Sequence, residues 1–470
     1  MENKPAPEIN PYIFRMYDIR GVVGRDITPD VAALIGRGFG TFCRKSPKVK
    51  AIFAVGRDNR FSSLDLHAAI CDGLNNSGCD VLDLGLTPTP VVNWAICHWN
   101  LDGGINVTGS HNPLDQNGFK LAGKDAYPIA EDDIQQIRKI IEGQAFIIGN
   151  GTVTSKDPKE EYLSDLRHKV TLQRPLKIVI DPGNGVAGLF APEALRQLGC
   201  NVVELYCELD CTFPHHLPNP ENPINLVDLQ RKVVETKADI GFAYDGDGDR
   251  IGVINETGQR LTSDEILILL GRDLLTRHPG SKILIDVKSS QNVIDDITRH
   301  GGIPVIWKTG HSLIKRKMRE SGILLAGEFS GHMFVAEDYY IIDDALMASC
   351  RLLQIISRQS LPLSKLLLDL PKRFATGLIE AACADSEKFD VVDRVKEFFS
   401  KQYEVLTIDG ARINFGQGWA VVRASNTTPT LTLRFEADSE RRLDEIGAIV
   451  YDKLKEFSSV KLPEWPGVQG

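Results

Sequence analysis

Apolar and polar positions along the chain repeat one pattern, in which short apolar runs alternate with amphipathic stretches. Strand-like runs occur in three groups of three, and they cover residues 51–55, 81–84, 104–107, 177–180, 202–205, 240–243, 282–285, 304–307 and 323–326. In each group a helical pattern neighbours the first run. Strands that alternate with helices at this interval indicate α/β units with parallel strands. The pattern therefore predicts three similar α/β domains in series.

The C-terminal part of the chain has a different pattern. Residues 391–399 and 441–457 show helical periodicity, whereas 417–423 and 430–435 are typical of antiparallel strands around a polar turn. This combination indicates a smaller α+β domain. We therefore expect four domains, which comprise residues 1–157, 158–257, 258–371 and 372–470.

The composition agrees with a multidomain globular protein. The 470 residues correspond to about three or four domains of roughly 100–200 residues. The nine cysteines are scattered and form no CxxC pair, which is typical of reduced thiols. The net charge of -9, the lack of a signal-peptide pattern and the lack of a long apolar stretch argue against nucleic-acid and membrane partners. We expect a cytoplasmic protein.

Polar and charged residues are concentrated directly after the third strand of each α/β unit. These segments are 108–113, 245–250 and 327–332. Ligands of open α/β sheets bind at the carboxyl ends of the strands. Three unrelated polar loops at the same place in three repeats therefore predict parts of one ligand site.

The first of these loops reads Thr-Gly-Ser-His-Asn-Pro. Gly109 allows a tight turn and Pro113 stiffens its exit, so we expect Ser110 to be exposed and its Oγ to be a nucleophile or a phosphate acceptor. The alternative is an ordinary polar turn, in which serine and asparagine bond their own backbone.

The second loop places Asp245, Asp247 and Asp249 between glycines. Three carboxylates that turn toward one point repel one another unless a cation lies between them, and oxygen ligands of this kind suit Mg²⁺. One alternative is a calcium-binding EF-hand loop, but Arg250 stands where that loop requires glycine, and the flanking residues are strand-like. The other alternative is a solvated acidic turn.

The remaining candidates are polar groups near predicted strand ends. Glu328 and Ser330 can hydrogen-bond a polyol, and His332 can move protons or bind phosphate. The turn 423–429 combines a guanidinium with hydroxyls and backbone N–H groups, which suits a phosphate. Further groups that could supply local positive charge or line a site lie in segments 17–21, 117–120, 288 and 308–312. Each of these groups alone is more often an ordinary surface residue.

Taken together, these motifs resemble the α-D-phosphohexomutase family, most closely its bacterial phosphomannomutase/phosphoglucomutase branch. The resemblance extends from residues 17–21 to 423–427, with four separate motifs in the order of the family. It implies four domains around a central cleft, three of them mixed α/β repeats. It also implies an isomerase, an intramolecular phosphotransferase that interconverts hexose 1-phosphate and hexose 6-phosphate of mannose or glucose.

The resemblance also implies roles for individual residues. Ser110 carries a phosphate, and one Mg²⁺ per active site is held by that phosphate and by Asp245, Asp247 and Asp249. A sugar 1,6-bisphosphate is the intermediate and activator, sugar phosphates are the ligands, and we expect a monomer. The catalytic candidates are Ser110, Arg20, Lys120, His311, His332 and Arg250. The substrate-binding candidates are Tyr17, Lys288, Gly310, His311, Glu328, Ser330, His332, Arg423, Ser425, Asn426 and Thr427.

Three other functions remain open from the sequence. The first is a mutase of glucosamine phosphate or N-acetylglucosamine phosphate, although that branch usually carries Gln at the position of Phe329. The second is a phosphoserine-type phosphatase, which needs an activated water. The third is a sugar-phosphate-binding protein without catalytic activity, which needs neither Ser110 nor three aspartates.

Overall fold

The computed structural model of the protein describes residues 9–44, 50–426 and 428–468. These residues form two compact units. The first unit runs to Arg277 and resumes over His311–Leu368. The second unit comprises His278–Gly310 and the chain from Asp369 onward. The third predicted domain thus contributes to both units, and the domain boundaries stay a prediction.

The first unit begins with a six-stranded sheet. Its elements are β1 (Ile19–Val22), α1 (Pro29–Arg44), β2 (Ile52–Arg57), α2 (Ser63–Asn76), β3 (Asp80–Leu86), α3 (Thr89–His98), β4 (Gly103–Val107), β5 (Gln116–Gly123), α4 (Asp132–Glu142) and β6 (Val153–Ser155). The strand order is β1-β5-β4-β2-β3-β6. Helices α1 and α2 pack closely at Gly73, where a Cβ atom would lie only 2.2 Å from the carbonyl oxygen of Ala33. Their apolar faces pack with the sheet into one core that includes Phe39 and Phe53.

A second sheet follows in the same unit. Its elements are α5 (Lys159–Lys169), β7 (Lys177–Asp181), α6 (Ala191–Gln197), β8 (Asn201–Glu204), α7 (Val227–Thr236), β9 (Ile240–Tyr244), β10 (Ile251–Asn255), β11 (Arg260–Leu261) and α8 (Ser263–Arg277). The strand order is β11-β10-β9-β7-β8. Strand β9 is buried along its whole length, which explains its continuous apolar sequence.

The next segment of the chain is divided between the units. In the second unit, β12 (Lys282–Asp286) and β13 (Ile303–Trp307) pair in parallel and are joined by α9 (Gln291–Arg299). In the first unit, β14 (Leu325–Gly327) and β15 (Met333–Val335) pair antiparallel. Helix α10 (His311–Ser321) precedes this pair and α11 (Ala345–Ser357) follows it.

The second unit ends in a sheet whose strand pairs are antiparallel. Its elements are β16 (Phe374–Ala375), β17 (Ile379–Ala382), α12 (Lys388–Phe399), β18 (Glu404–Leu406), β19 (Ala411–Asn414), β20 (Gly418–Ala424), β21 (Thr430–Ala437) and α13 (Glu440–Lys455). The strand order is β16-β21-β20-β19-β18, and β17 also pairs with β21. Helices α12 and α13 pack their apolar sides on the sheet, in a core that contains Phe399, Phe435 and Ile446. This is the α+β pattern expected for the C-terminal part.

Three hairpins of the first unit share one position in their sheets. Strand β4 turns back into β5, β9 into β10 and β14 into β15, and each of these pairs is antiparallel. The predicted parallel strands are confirmed for β4 and β9, which pair in parallel with β2 and β7. Each hairpin then adds one antiparallel strand beyond the three predicted strands of its repeat. The connecting loops are too short for a crossover helix, so the chain must return antiparallel. The three chemically rich loops are the turns of these hairpins.

A buried carboxylate joins distant parts of the first unit. Asp344 caps the N-terminus of α11 by accepting a hydrogen bond from the backbone N–H of Met347 at 3.0 Å. The same side chain accepts from the hydroxyls of Tyr339 at 2.8 Å and Tyr162 at 3.0 Å. Loss of this acceptor leaves three donors without a partner.

We expect Asp344→Ala to lower thermal stability. The loss is about 2 kcal/mol, which corresponds to a fall in Tm of about 5 °C for domains of this size. Calorimetry measures it, and Asp72→Ala on the exposed side of α2 is the control that should leave Tm unchanged. Equal Tm values for the two variants would contradict the role of Asp344.

Candidate active site

Ser110 lies in the turn between β4 and β5, in a left-handed backbone conformation with φ of 50°. Its side chain is 1% exposed, so the expectation that Ser110 is exposed is wrong. Side chains that lie far away in the sequence cover the turn. Its Oγ nevertheless faces polar groups, because it donates a hydrogen bond to Asp245 Oδ2 at 2.8 Å and lies 3.0 Å from His111 Nδ1.

The three aspartates lie in the turn between β9 and β10, and all three are fully buried. Asp245, Asp247 and Asp249 each offer one carboxylate oxygen within 4.8 Å of the others. Asp245 Oδ1 also accepts the backbone N–H of Asp249 at 3.0 Å, which closes the turn. Strands flank this loop on both sides, so the helix–loop–helix alternative is wrong.

The donors of this loop fit a divalent metal ion. Asp247 Oδ1 is buried and has no hydrogen-bond partner among the residues that the structure describes. Burial, and then the charges of these two neighbours, raise the pKa of Asp245 to about 8. A hard cation offsets such repulsion and takes carboxylate oxygens such as Asp247 Oδ1 as ligands. The triad can therefore hold a metal ion beside Ser110.

Lys120 on β5 is the cation next to the triad. Its Nζ donates to Asp247 Oδ2 at 2.7 Å and also to Asp249. Although burial opposes it, the two carboxylates raise the pKa of Lys120, so the side chain stays charged. Thr89 also donates its hydroxyl to Asp247. The loop of aspartates and the Ser110 hairpin are thus linked through charged and polar contacts.

The turn between β14 and β15 adds a second group of polar side chains. His332 Nε2 lies 3.3 Å from Asp249 Oδ1, and its Nδ1 lies 3.1 Å from Glu328 Oε2 and from Ser330 Oγ. Burial alone lowers the pKa of His332, but Asp249 and the hydrogen bonds to both carboxylates raise it to about 9. The imidazole is therefore a cation at neutral pH, between the aspartates and the Glu328 loop.

Other predicted side chains of the first unit extend this group. Arg20 donates to the carbonyl oxygen of Gly109 at 3.1 Å and pairs with Asp18. Arg250 lies 3.3 Å from Glu221.

His311 begins α10 on the other side of His332. The two imidazole rings stack at 5.4 Å, and Tyr17 contacts His311 edge-on. His311 Nδ1 lies 3.3 Å from Asp343, whose other oxygen accepts from Lys315 at 2.8 Å. The structure thus brings together all the predicted site residues that belong to the first unit.

The second unit holds the remaining candidates. Arg423 pairs with Asp409 at 3.1 Å, and Asp409 also accepts the backbone N–H of Thr309, next to Gly310. Lys288 lies 3.4 Å from Asp286, and both are buried.

The turn after Arg423 is closed by its own side chains. Ser425 accepts hydrogen bonds from the backbone and hydroxyl of Thr428, and Lys388 donates to the carbonyl oxygen of Ser425 at 2.6 Å. Asn426 lies in the same turn. The predicted phosphate ligand Thr427 lies outside the described residues.

Sequence reasoning missed His111 as a site residue. Desolvation, and then the nearby cations Arg250, Arg20 and Lys120, hold the pKa of His111 well below its ordinary value, so it is neutral beside Ser110. Its position directly after the serine was the available signal. Thr89, which donates its hydroxyl to Asp247, gave no signal, because it lies in an ordinary helix start far from the aspartates in sequence.

The described part of the chain thus combines mixed α/β sheets and an antiparallel sheet with a buried serine beside three carboxylates. Family models for phosphoglucomutase/phosphomannomutase match the chain in sequence order. Alpha/beta/alpha domains I, II and III match residues 11–147, 160–258 and 262–374, and the C-terminal domain matches 378–453. The chain belongs to the phosphoglucomutase/phosphomannomutase family, and the predicted four-domain fold class is confirmed.

Individual relatives agree with this assignment. The chain is 42% identical over 464 residues to the phosphomannomutase/phosphoglucomutase of Pseudomonas aeruginosa, which covers 98% of this chain and 99% of the relative. It is 42% identical over 440 residues to the phosphoglucomutase of Neisseria meningitidis serogroup A, with 92% and 95% covered. A solved family protein from Burkholderia thailandensis superposes with a TM-score of 0.89 at 41% identity, over 96% of this chain and 98% of that one.

Helices of the described part of the chain are all too short or too polar to span a membrane. The nine cysteines all lie in the described part of the chain, and none of them forms a disulfide there.

Proposed function

We propose that the protein interconverts the 1-phosphates and 6-phosphates of mannose and glucose through a phosphoserine at Ser110. Family membership makes the chain a hexose phosphate mutase. Such an isomerase has the net effect of moving a phosphoryl group from one position of the sugar to another. The observation that carries the proposal is the contact of Ser110 Oγ with Asp245 at 2.8 Å, which puts a hydroxyl at the edge of a metal-binding triad. Phosphoryl transfer needs such a juxtaposition of acceptor oxygen and metal ligands.

Each half-reaction exchanges one bond. The bond between phosphorus and Ser110 Oγ breaks as phosphorus binds a hydroxyl oxygen of the sugar monophosphate. The hydroxyl proton passes to a base of the site, and a proton reaches Ser110 Oγ, which gives a sugar 1,6-bisphosphate and a free serine. Transfer of the other phosphate back to Ser110 completes the isomerisation and restores the phosphoenzyme. The bisphosphate therefore serves as intermediate and as activator.

The charged groups around Ser110 stabilise the transferring phosphoryl group. Lys120, which contacts Asp247, and Arg20, which contacts the carbonyl oxygen of Gly109, supply fixed positive charge near Ser110. His332 is a cation and can donate a proton or a hydrogen bond to a phosphate oxygen. Asp245, Asp247 and Asp249 would hold one Mg²⁺, which would neutralise charge on the same group when bound.

Recognition of the sugar and of the second phosphate uses the other predicted residues. Glu328 and Ser330 lie on one turn and present acceptors and a hydroxyl to the sugar hydroxyls. In the second unit, the loop that contains Arg423, Ser425 and Asn426 binds the phosphate that is not reacting, together with Thr427. The complete set assigned to the substrate also includes Tyr17, Lys288, Gly310 and His311, and Arg250 is assigned to catalysis with His311. The protein acts as a monomer in the cytoplasm on small sugar phosphates.

The other candidate functions receive less support. Phe329 favours mannose and glucose over amino sugars, because the amino-sugar branch usually has Gln there. A phosphatase transfers the phosphoryl group to water, whereas the family models and the relatives that match this chain are mutases. A binding protein without catalysis has no use for a buried nucleophile that contacts a carboxylate of the metal-binding triad.

An activity panel tests the proposed function. The purified protein is assayed with Mg²⁺, a trace of sugar bisphosphate, and the 1-phosphates of mannose, glucose, glucosamine and N-acetylglucosamine. We expect rapid conversion of the first two to their 6-phosphates. Preferred conversion of an amino sugar would overturn the sugar assignment, and release of inorganic phosphate in place of isomerisation would show a phosphatase. Absence of turnover with all four would support the binding protein.

A further inference from the structure

The backbone of the Ser110 turn needs support from its surroundings. A residue other than glycine in the left-handed conformation costs about 1–2 kcal/mol, and Ser110 adopts it with φ of 50°. Such strain persists only where neighbouring groups hold the backbone. The groups that do so here come from the segment after β2, about fifty residues upstream.

Arg60 holds the second half of the turn. Its guanidinium is 2% exposed and donates to the carbonyl oxygens of Ser110 at 3.0 Å, Asn112 at 2.5 Å, Pro113 at 2.7 Å and Gln116 at 3.1 Å. The planar fork of arginine can serve several acceptors in a fixed geometry, whereas the ammonium of lysine is a point charge with three donors. One buried side chain thus fixes four backbone acceptors between Ser110 and Gln116.

Asp58 holds the first half of the turn. It is 1% exposed and accepts from the Thr108 hydroxyl at 2.8 Å and from the Gly109 backbone N–H at 2.9 Å. Thr108 Oγ1 in turn accepts the backbone N–H of Ser110 at 2.8 Å. The same carboxylate lies 3.5 Å from Arg60 Nε, so the two side chains form one buried ion pair under the turn.

Gly109 is the position where this pair meets the backbone. A Cβ at Gly109 would stand 2.3 Å from Arg60 Nε and 2.4 Å from its Cζ. The guanidinium therefore packs directly against the backbone of the residue before Ser110. Glycine is required here by the approach of arginine, since its own backbone is not left-handed.

We infer that Asp58 and Arg60 are positioning residues, here named the Asp58–Arg60 clamp, which hold Ser110 Oγ at the metal triad in both its free and its phosphorylated form. The inference rests on the proposed function, in which Ser110 must return to one position twice in each catalytic cycle. Neither side chain reaches the substrate. They act by keeping the turn in a conformation that the sequence from Thr108 to Pro113 does not favour by itself.

Two conservative variants test the clamp. Arg60→Lys keeps the charge but cannot span four acceptors, and Asp58→Asn keeps the shape but replaces one acceptor with a donor. We expect kcat with glucose 1-phosphate to fall about 100-fold in each, the order of loss for a misplacement near 1 Å, with KM unchanged. We also expect the ³¹P resonance of phosphorylated Ser110 to shift, because its surroundings change.

A matched variant separates positioning from stability. Arg44 is another buried arginine that donates to a backbone carbonyl, that of Ser77, and it lies at the end of α1 away from the Ser110 turn. Arg44→Lys should lower Tm as Arg60→Lys does, while kcat stays at the wild-type value.

Three results would overturn the inference. The first is wild-type kcat in both Arg60→Lys and Asp58→Asn, in protein whose Ser110 is phosphorylated. The second is an equal loss of kcat in Arg44→Lys, which would show that any buried arginine has this effect through stability. The third is absence of phosphoserine from the wild-type protein during turnover, which would overturn the proposed function and the clamp with it.

Discussion

Ser110→Ala should reduce the turnover of glucose 1-phosphate at least about 1,000-fold, since removal of a catalytic nucleophile leaves only binding and electrostatic contributions. The hydroxyl is the atom that accepts and returns the phosphoryl group, and His111 beside it cannot replace it in that position. The change removes one oxygen from a buried turn, so the fold should persist. A coupled assay for glucose 6-phosphate measures the rate, and circular dichroism checks the fold.

Ser155→Ala is the matched control for this variant. Ser155 is exposed at the end of the edge strand β6, so its loss should leave turnover and folding unchanged. Full activity of Ser110→Ala would show that another group carries the phosphate. A comparable loss in Ser155→Ala would show that the assay reports general damage.

Asp247→Asn should raise the Mg²⁺ concentration needed for half-maximal activity and lower kcat by about 100-fold, the usual scale for loss of one group that stabilises transition-state charge. Asp247 Oδ1 is a buried oxygen without a hydrogen-bond partner in the described part of the chain, which suits a metal ligand. Its other oxygen accepts from Lys120 and Thr89. Asparagine can keep those bonds through its carbonyl, so the change removes charge with little loss of shape.

Asp452→Asn on the surface of α13 removes the same charge far from the triad in sequence and in the other unit. It should leave both the metal requirement and kcat unchanged. The metal dependence of the two variants is compared by titrating Mg²⁺ into enzyme treated with chelator. An unchanged requirement in Asp247→Asn would contradict the assignment of the triad.

Strand positions are largely predictable from the sequence, because a buried strand requires a local run of apolar residues. The run 240–243 lies in β9 (Ile240–Tyr244), and the run 430–435 lies in β21 (Thr430–Ala437). The strand predicted over 323–326 begins too early in the sequence. The backbone N–H of Ile323 donates to the carbonyl oxygen of Met318, in the last turn of α10. This hydrogen bond closes the C-terminus of the helix and takes up the first residues of the apolar run, so the strand begins later, at Leu325.

The chemical loops were also found from sequence, because carboxylates and glycines at fixed spacing are local features. What could not be found was the burial of Ser110, which depends on Arg60 at a separation of fifty residues. The stacking of His311 on His332 likewise depends on how α10 packs beside the β14–β15 turn. Long-range packing of this kind leaves no periodic signal in the chain.

Direct detection of phosphate on Ser110 during turnover tests the proposal that Ser110 carries the transferred phosphoryl group. The protein is mixed with glucose 1,6-bisphosphate and Mg²⁺, quenched with acid within one turnover, digested and examined by mass spectrometry. We expect one phosphoryl group per chain, located on Ser110 and lost when excess glucose 6-phosphate is added before the quench. Turnover at the full rate with Ser110 unmodified, or with the phosphate on another residue, would contradict it.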